Sequence, residues 1–339
     1  LGYEKVKTLF YSQIDEPTYE KLKADIEKHT PQRIVLFCET EWDSRELTEE
    51  LANLVNSHNI HVVVTFGSYD SAFYKEKIKH FKSIELVFWN THWFNWTLMC
   101  SSMLDFNQNY TDFKYPYICL NNKNHEHRCA IIDELTGAKL LEKGIVTWHR
   151  FPNHCPSDHR YKFKYYDDSI RLIGDDFVTK LDSFLIPPEY HQSFLHVIGE
   201  ATNTVPFITE KTCLPILYKK PWVIIADPGF HQKLVDLGFE LYDEIIDYSF
   251  DKNPNLTERA KAIADNVKRI SEQNLEELYK LVRPKAERNY NNYMRIINDP
   301  NYIPAVIKER AKYAKDTNYA NSTFTDSRYV HMCEPMGIL

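Results

Sequence analysis

Glycine is scarce in this chain. There are 9 in 339 residues, and no two form a Gly-x-Gly. That removes the glycine-rich phosphate loops of dinucleotide binders and the loop closed by Lys-Ser/Thr in ATPases. Any phosphate held here must be held by side chains and helix ends. Paired cysteines are lacking too. The seven cysteines (38, 100, 119, 129, 155, 213, 333) include no Cys-x-x-Cys, and an odd, unclustered set reads as a reduced, cytoplasmic protein whose thiols fill core positions. No apolar run has the length of a membrane span. Positive charge is not in excess either: 41 basic against 48 acidic residues leave a net charge of -7. Broad, sequence-independent nucleic-acid binding is disfavoured by that balance, although a local basic groove is compatible with it. The 14 histidines carry no metal signature. His125 with His127, and the His154-Cys155-Asp158-His159 group, lack the spacing of a structural zinc site and the His-Glu-x-x-His of a hydrolytic one. Asp167-Asp168 and Asp175-Asp176 read as solvated loop acids. The expectation is a protein that requires neither metal nor cofactor.

What is present is alternation. The length suggests roughly two domains. Glu20 to Lys28 has helical character, and Arg33 to Cys38 is a continuous apolar strand. Leu47, Leu51, Leu54 and Val55 recur at helical spacing before a second buried strand, Ile60 to Phe66. A helix over Ser71 to Phe81 and a strand over Ile84 to Trp89 follow. Trp93 to Phe113 fits no element and reads as a loop. Tyr115 to Leu120 (strand), His127 to Leu141 (helix) and Ile145 to Trp148 (strand) continue the series. Apolar runs without alternation, separated by amphipathic helices, predict an α/β fold with parallel sheets covered on both faces. Residues 149 to 168 form a polar, aromatic break, which sets the expected domains at 1–160, 161–300 and a C-terminal helix and tail at 301–339. The second half repeats the pattern: strand Phe194 to Ile198, helix Thr212 to Leu217, strand Trp222 to Ala226, helix Phe230 to Leu237. A long helix is predicted over Leu256 to Val282, with Asn255 and Glu258 spaced as a capping box, and another after Pro284.

Chemistry concentrates in Phe207 to Phe230. Thr209, Glu210 and Lys211 fall on a strand-to-helix turn at the carboxyl edge of a parallel sheet, where ligands of open α/β sheets bind and helix N-termini favour phosphate. Lys211 supplies a point charge for a diphosphate, and Glu210 can accept from two ribose hydroxyls. Taken alone, the same three residues read equally as an N-cap with a surface ion pair. Pro215 is tolerated if Thr212 caps the helix, which would leave the proline in the first turn.

Three further segments give these residues a context. The strand Phe194 to Ile198 leads through Gly199 to Glu200, a short fixed interval before Thr209. Tyr117 to Leu120 ends at Asn121 and leads through His127 to Arg128, and Arg33 to Cys38 ends in Glu39. In this order the chain resembles the α1,3-fucosyltransferase family. It is also similar to viral and phage glycosyltransferase-like proteins that share the Leu-Asn…His-Arg and Phe-x-Thr-Glu-Lys-x-x-x-Pro-Ile segments. The specific part covers about a fifth of the chain. The resemblance implies a GT-B architecture, two Rossmann-like domains facing a cleft, with C-terminal helices. It implies an inverting, metal-independent glycosyltransferase that moves a sugar from a nucleotide-diphosphate donor to a hydroxyl of a glycan or small acceptor. Nucleic acid as acceptor is an alternative of the same chemistry, and a catalytically inactive nucleotide-sugar or glycan-binding module is a third reading. Carried over residue by residue, Lys211 and Arg128 neutralise the diphosphate and Glu210 binds ribose. Asn121 orients the phosphates or sugar, Glu200 bonds sugar hydroxyls, Thr209 belongs to the donor turn, and Glu39 is the general base, with Glu41 and Asp43 as neighbouring competitors. Two departures bear on the sugar: Ala201 stands where the family has Asn, and Ala226-Asp227-Pro228-Gly229 closes a strand that in the family ends in Gly.

Overall fold

The computed structural model describes residues 8–12, 19–38, 47–100, 112–121, 123–148, 161–167, 170, 186, 188–299 and 301–316. The chain is α/β and divides into two compact units, Leu1–Asn95 with Asn298–Leu339, and Trp96–Ile297. Each is built on a parallel four-stranded sheet. Among the described residues no helix is long and apolar enough to cross a membrane.

In the first unit, β1 (Thr8–Ser12), β2 (Arg33–Cys38), β3 (His61–Phe66) and β4 (Ile84–Phe88) lie side by side in chain order. They alternate with α1 (Tyr19–His29), α2 (Glu49–Ser57) and α3 (Ala72–Ile78). The apolar run Val62-Val63-Val64 is buried on both faces, which is what a sheet covered on two sides requires. Thr48 caps α2 by accepting from the Leu51 N–H at 3.1 Å. α4 (His92–Cys100) occupies a stretch expected to be loop, and residues 101–111 lie outside the described residues. After the second unit the chain returns as α11 (Ala305–Asp316). Arg33 and Phe37 share one face of β2 by the strand period. α11 covers both: Glu309 pairs with Arg33 at 2.8 Å and the Arg310 guanidinium stands 4.3 Å from the Phe37 ring. The helix expected in the C-terminal segment thus belongs to the first unit.

In the second unit, β5 (Tyr115–Asn121), β6 (Ile145–Trp148), β7 (Ser193–Gly199) and β8 (Trp222–Ile225) take the order β6-β5-β7-β8. The sequence places the division at 160/161. Instead, β5 pairs with β7 through Tyr117↔Leu195 and Ile118↔His196, so β5 and β6 belong with the second sheet and the units divide at 95/96. α5 (Glu126–Gly137) leaves β5 toward β6, and α7 (Glu210–Leu217) leaves β7 toward β8, in opposite directions. Right-handed crossovers then place the two helices on opposite faces, α5 against α9 (Leu256–Ser271) and α7 against α10 (Leu275–Ile297). α6 (Pro188–Gln192) and α8 (Phe230–Asp236) complete the unit.

The long helix expected over 256–282 is two helices. Asn274 Oδ1 accepts from the Glu276 and Glu277 N–H groups at 3.0 and 3.1 Å, starting α10 afresh. α10 then runs through Pro284, which forfeits one helical hydrogen bond while Val282 and Ala286 on either side stay buried.

Candidate functional site: the carboxyl edge of the second sheet

The strand order reverses between β5 and β7, and a ligand crevice forms at such a switch point outside the carboxyl ends of the strands. Asn121 ends β5 there; Gly199 and Glu200 end β7. Gly199 has to be glycine because a Cβ would stand 2.6 Å from Arg128 Cγ and 2.9 Å from Asn121 Oδ1.

Glu200 is fully buried and its carboxylate is saturated by the chain itself. Oε1 accepts from Thr209 N–H at 3.1 Å and Thr212 Oγ1 at 2.5 Å. Oε2 accepts from Ala201 N–H at 3.0 Å and Thr209 Oγ1 at 2.6 Å. A carboxylate has about four acceptor positions, so none is left for a ligand. Glu200 ties the end of β7 to the first turn of α7. Thr209, rather than Thr212, is the N-cap of α7. Pro215 therefore lies beyond the first turn, and the Lys211 carbonyl loses its helical donor.

Arg128 is 2% exposed. Its Nη2 donates to the Glu200 carbonyl at 2.7 Å, and Nε lies 3.1 Å from both the Gly199 and Glu200 carbonyls. His127 Nε2 is 2.6 Å from the same Glu200 carbonyl. Because a carbonyl only accepts, Nε2 carries the proton. Burial, with the Arg128 charge second, holds this imidazole well below the usual histidine range, so it is neutral and Nδ1 is a bare acceptor without a partner among the described residues. Asn121 donates its backbone N–H to Thr147 Oγ1 at 3.0 Å and its amide to Cys119 Sγ at 3.2 Å. Its Oδ1 is buried without a partner among the described residues. Cys119 is a thiol, pushed up to about 12 by burial.

On the turn, Lys211 Nζ lies 2.7 Å from Glu210 Oε1 and 3.4 Å from Thr209 Oγ1. Burial alone would raise the Glu210 carboxyl; the Lys211 charge and hydrogen bond, its own N–H and Arg128 outweigh it and bring it below the usual range. Glu210 thus occupies the anion position at the start of α7, beside the partly exposed ammonium end of Lys211.

The edge therefore gathers Asn121, Arg128, Glu200, Thr209, Glu210 and Lys211 in one unit. His127, Thr212 and Gly199 are parts of it that the sequence alone did not assign. The interval from Glu200 to Thr209 and Thr212 was their visible trace, since one carboxylate must reach both hydroxyls. Glu39, Glu41, Asp43, His154, Cys155, Asp158, His159, Asp168, Asp175 and Asp176 lie outside the described residues. Among the described residues, no three His, Cys, Asp or Glu side chains converge as a metal site. An open depression of about 710 Å³ lies on the loop after α8, but its Lys285 is paired with Glu244 at 2.9 Å and its Arg269 donates to the Ile245 carbonyl at 3.0 Å. Comparison with protein-family models, curated proteins and solved structures finds no match.

Proposed function

We propose that the carboxyl edge of the second sheet binds the diphosphate of a nucleotide-sugar, and that the chain is an inverting glycosyltransferase of the GT-B, fucosyltransferase-like kind acting on a hydroxyl acceptor. The observation that carries this reading is the switch point itself. A helix-opening turn with Lys211, a buried Arg128 and the Asn121 Oδ1, unpartnered among the described residues, meet there, in a chain with no glycine loop to do the work.

In this mechanism the acceptor oxygen attacks the anomeric carbon from the face opposite the diphosphate. The bond from that carbon to the phosphate oxygen breaks, and the electron pair leaves with the diphosphate. Lys211 neutralises the developing charge at contact, while Arg128 acts through the field it sets from beneath the strand ends. Preorganised charge of this kind usually contributes more to such transfers than any other single effect. The acceptor proton passes to a carboxylate, assigned to Glu39. Glu200 is reassigned from sugar contact to positioning, because its four acceptor sites are filled.

Titration calorimetry with nucleoside diphosphates and a sugar-transfer assay test the proposal. Lys211→Ala should weaken diphosphate binding by about 10- to 100-fold. Glu39→Gln should keep donor binding and lower turnover by roughly 10²-fold or more. Absence of nucleotide binding in the wild type would sink the reading. Binding without transfer to any acceptor would leave a nucleotide-sugar-binding module.

A further inference from the structure

We propose that Asp227, rather than Glu210, is the acid that receives the ribose hydroxyls of the bound nucleotide; this rests on the nucleotide reading above. When a diphosphate sits at the turn after one parallel strand, the end of the next strand in the same crossover lies about 4.8 Å to the side. The ribose falls there, and an acid at that second strand end, about 20 residues on, meets its hydroxyls in dinucleotide-binding sheets. The β7–α7–β8 unit has this layout. Gly199 pairs with Ile225, and the Glu200 N–H donates to the Ile225 carbonyl at 3.2 Å. Asp227 follows two residues later, at the same carboxyl edge as Glu200.

The acids around this edge differ in what they have left to accept. Glu200 is saturated by four donors, and Glu210 is held by Lys211. Asp251 accepts from the His231 N–H at 3.0 Å, His231 Nδ1 at 2.6 Å and the Gln232 N–H at 3.2 Å. Asp227 is half-buried, and none of the described side chains or N–H groups donates to its carboxylate. Arg259 attracts it, while two of the guanidinium hydrogens go to the Asn253 and Ala226 carbonyls at 2.5 and 2.9 Å.

Two residues on, the chain borders open space. Gly229 has φ +83°, and a Cβ built there would meet no atom within 4 Å. Burial pushes the Asp227 carboxyl up to about 6, with Arg259 and Lys233 opposing and Asp251 reinforcing. A carboxylate short of donors is what two vicinal hydroxyls would satisfy.

The test is calorimetric titration of the full chain with UDP, GDP and ADP and their 2′-deoxy counterparts. Wild type should favour a ribonucleotide over its deoxy form by about tenfold. Asp227→Ala should bind the ribonucleotide about tenfold more weakly and the deoxy form within about twofold of wild type; the retained deoxy binding also shows that the variant folds. Glu210→Gln should keep the wild-type preference. The inference is overturned if Asp227→Ala keeps that preference, if Glu210→Gln abolishes it, or if wild type binds both forms equally. It also falls if Asp227→Ala binds neither form while unfolding at the wild-type temperature. Wild type that binds no nucleotide would remove the parent reading, and this inference with it.

Discussion

Lys220 shows how one residue can bind the fold to pH. It is 1% exposed, at the start of β8 and so at the edge opposite the candidate site. Its Nζ donates to the His191 carbonyl at 2.7 Å and stands 4.4 Å from the Phe113 ring. Burial pushes it down to about 7. Below that pH the folded and unfolded chains both carry the proton, and the fold bears the full cost of a buried charge. Between about 7 and the unfolded value near 10.5 the unfolded chain binds more protons, so stability rises with pH across that window. Lys220→Met should therefore unfold at a higher temperature than wild type at pH 6. The gain, on the order of 1–3 kcal/mol after loss of the His191 hydrogen bond, should shrink toward pH 10. Thermal unfolding of both proteins at several pH values measures it.

Among the elements, α7 is placed by chemistry rather than by propensity. A helix of eight residues with an internal proline is marginal by itself, yet Ile216 and Leu217 are fully buried and Glu200 holds the first turn through Thr209 and Thr212. Glu200→Gln presents an amide N–H₂ to donors and breaks at least two of the four bonds. It should cost about 2–4 kcal/mol by urea unfolding and weaken nucleotide binding as the turn loosens. Thr212→Val removes one of those bonds and should cost less, about 1–2 kcal/mol. Equal losses in the two variants would show that Glu200 is not the shared anchor. The break between α9 and α10 belongs to the same scale: Ser271-Glu272-Gln273-Asn274 lacks a glycine or proline, and an asparagine N-cap starts a second helix where apolar period alone would continue the first.

At the scale of the whole molecule, the chain comes back to the first unit after building the second. Tyr302 is where the return is secured: its hydroxyl donates to the Thr91 carbonyl at 2.6 Å and accepts from the Asn95 N–H at 2.9 Å. Tyr302→Phe keeps the ring against Trp89, whose centroid is 5.8 Å away, takes the partner from the Asn95 N–H, and leaves the Thr91 carbonyl only the Phe94 N–H at 3.0 Å. The expected loss is about 1–3 kcal/mol, seen as faster proteolysis within the first unit while calorimetric nucleotide binding by the second unit is unchanged. If cleavage appears first in the second unit, the return segment is not what stabilises the first.

The sequence by itself determined what short-range chemistry determines. Short apolar runs rich in β-branched residues, such as Val62-Val63-Val64 and Trp222-Val223-Ile224-Ile225, read as strands buried on both faces, and the Thr-Glu-Lys turn is legible because a strand must end where a helix begins. Asn121, Arg128 and Glu200 joined Lys211 as a group only through the order of segments that resembles the α1,3-fucosyltransferase family. Tertiary structure alone decided that β5 pairs with β7, which moved the division between units from 160/161 to 95/96, and that 302–310 returns to the first sheet. It alone turned Glu200 inward to serve Thr209 and Thr212 instead of a ligand, and left Asp227 without a donor among the described residues. The physical reason is range. Helical and strand periods are written into neighbouring side chains, whereas sheet order, burial of a carboxylate and the filling of its acceptor sites depend on groups brought together from distant parts of the chain.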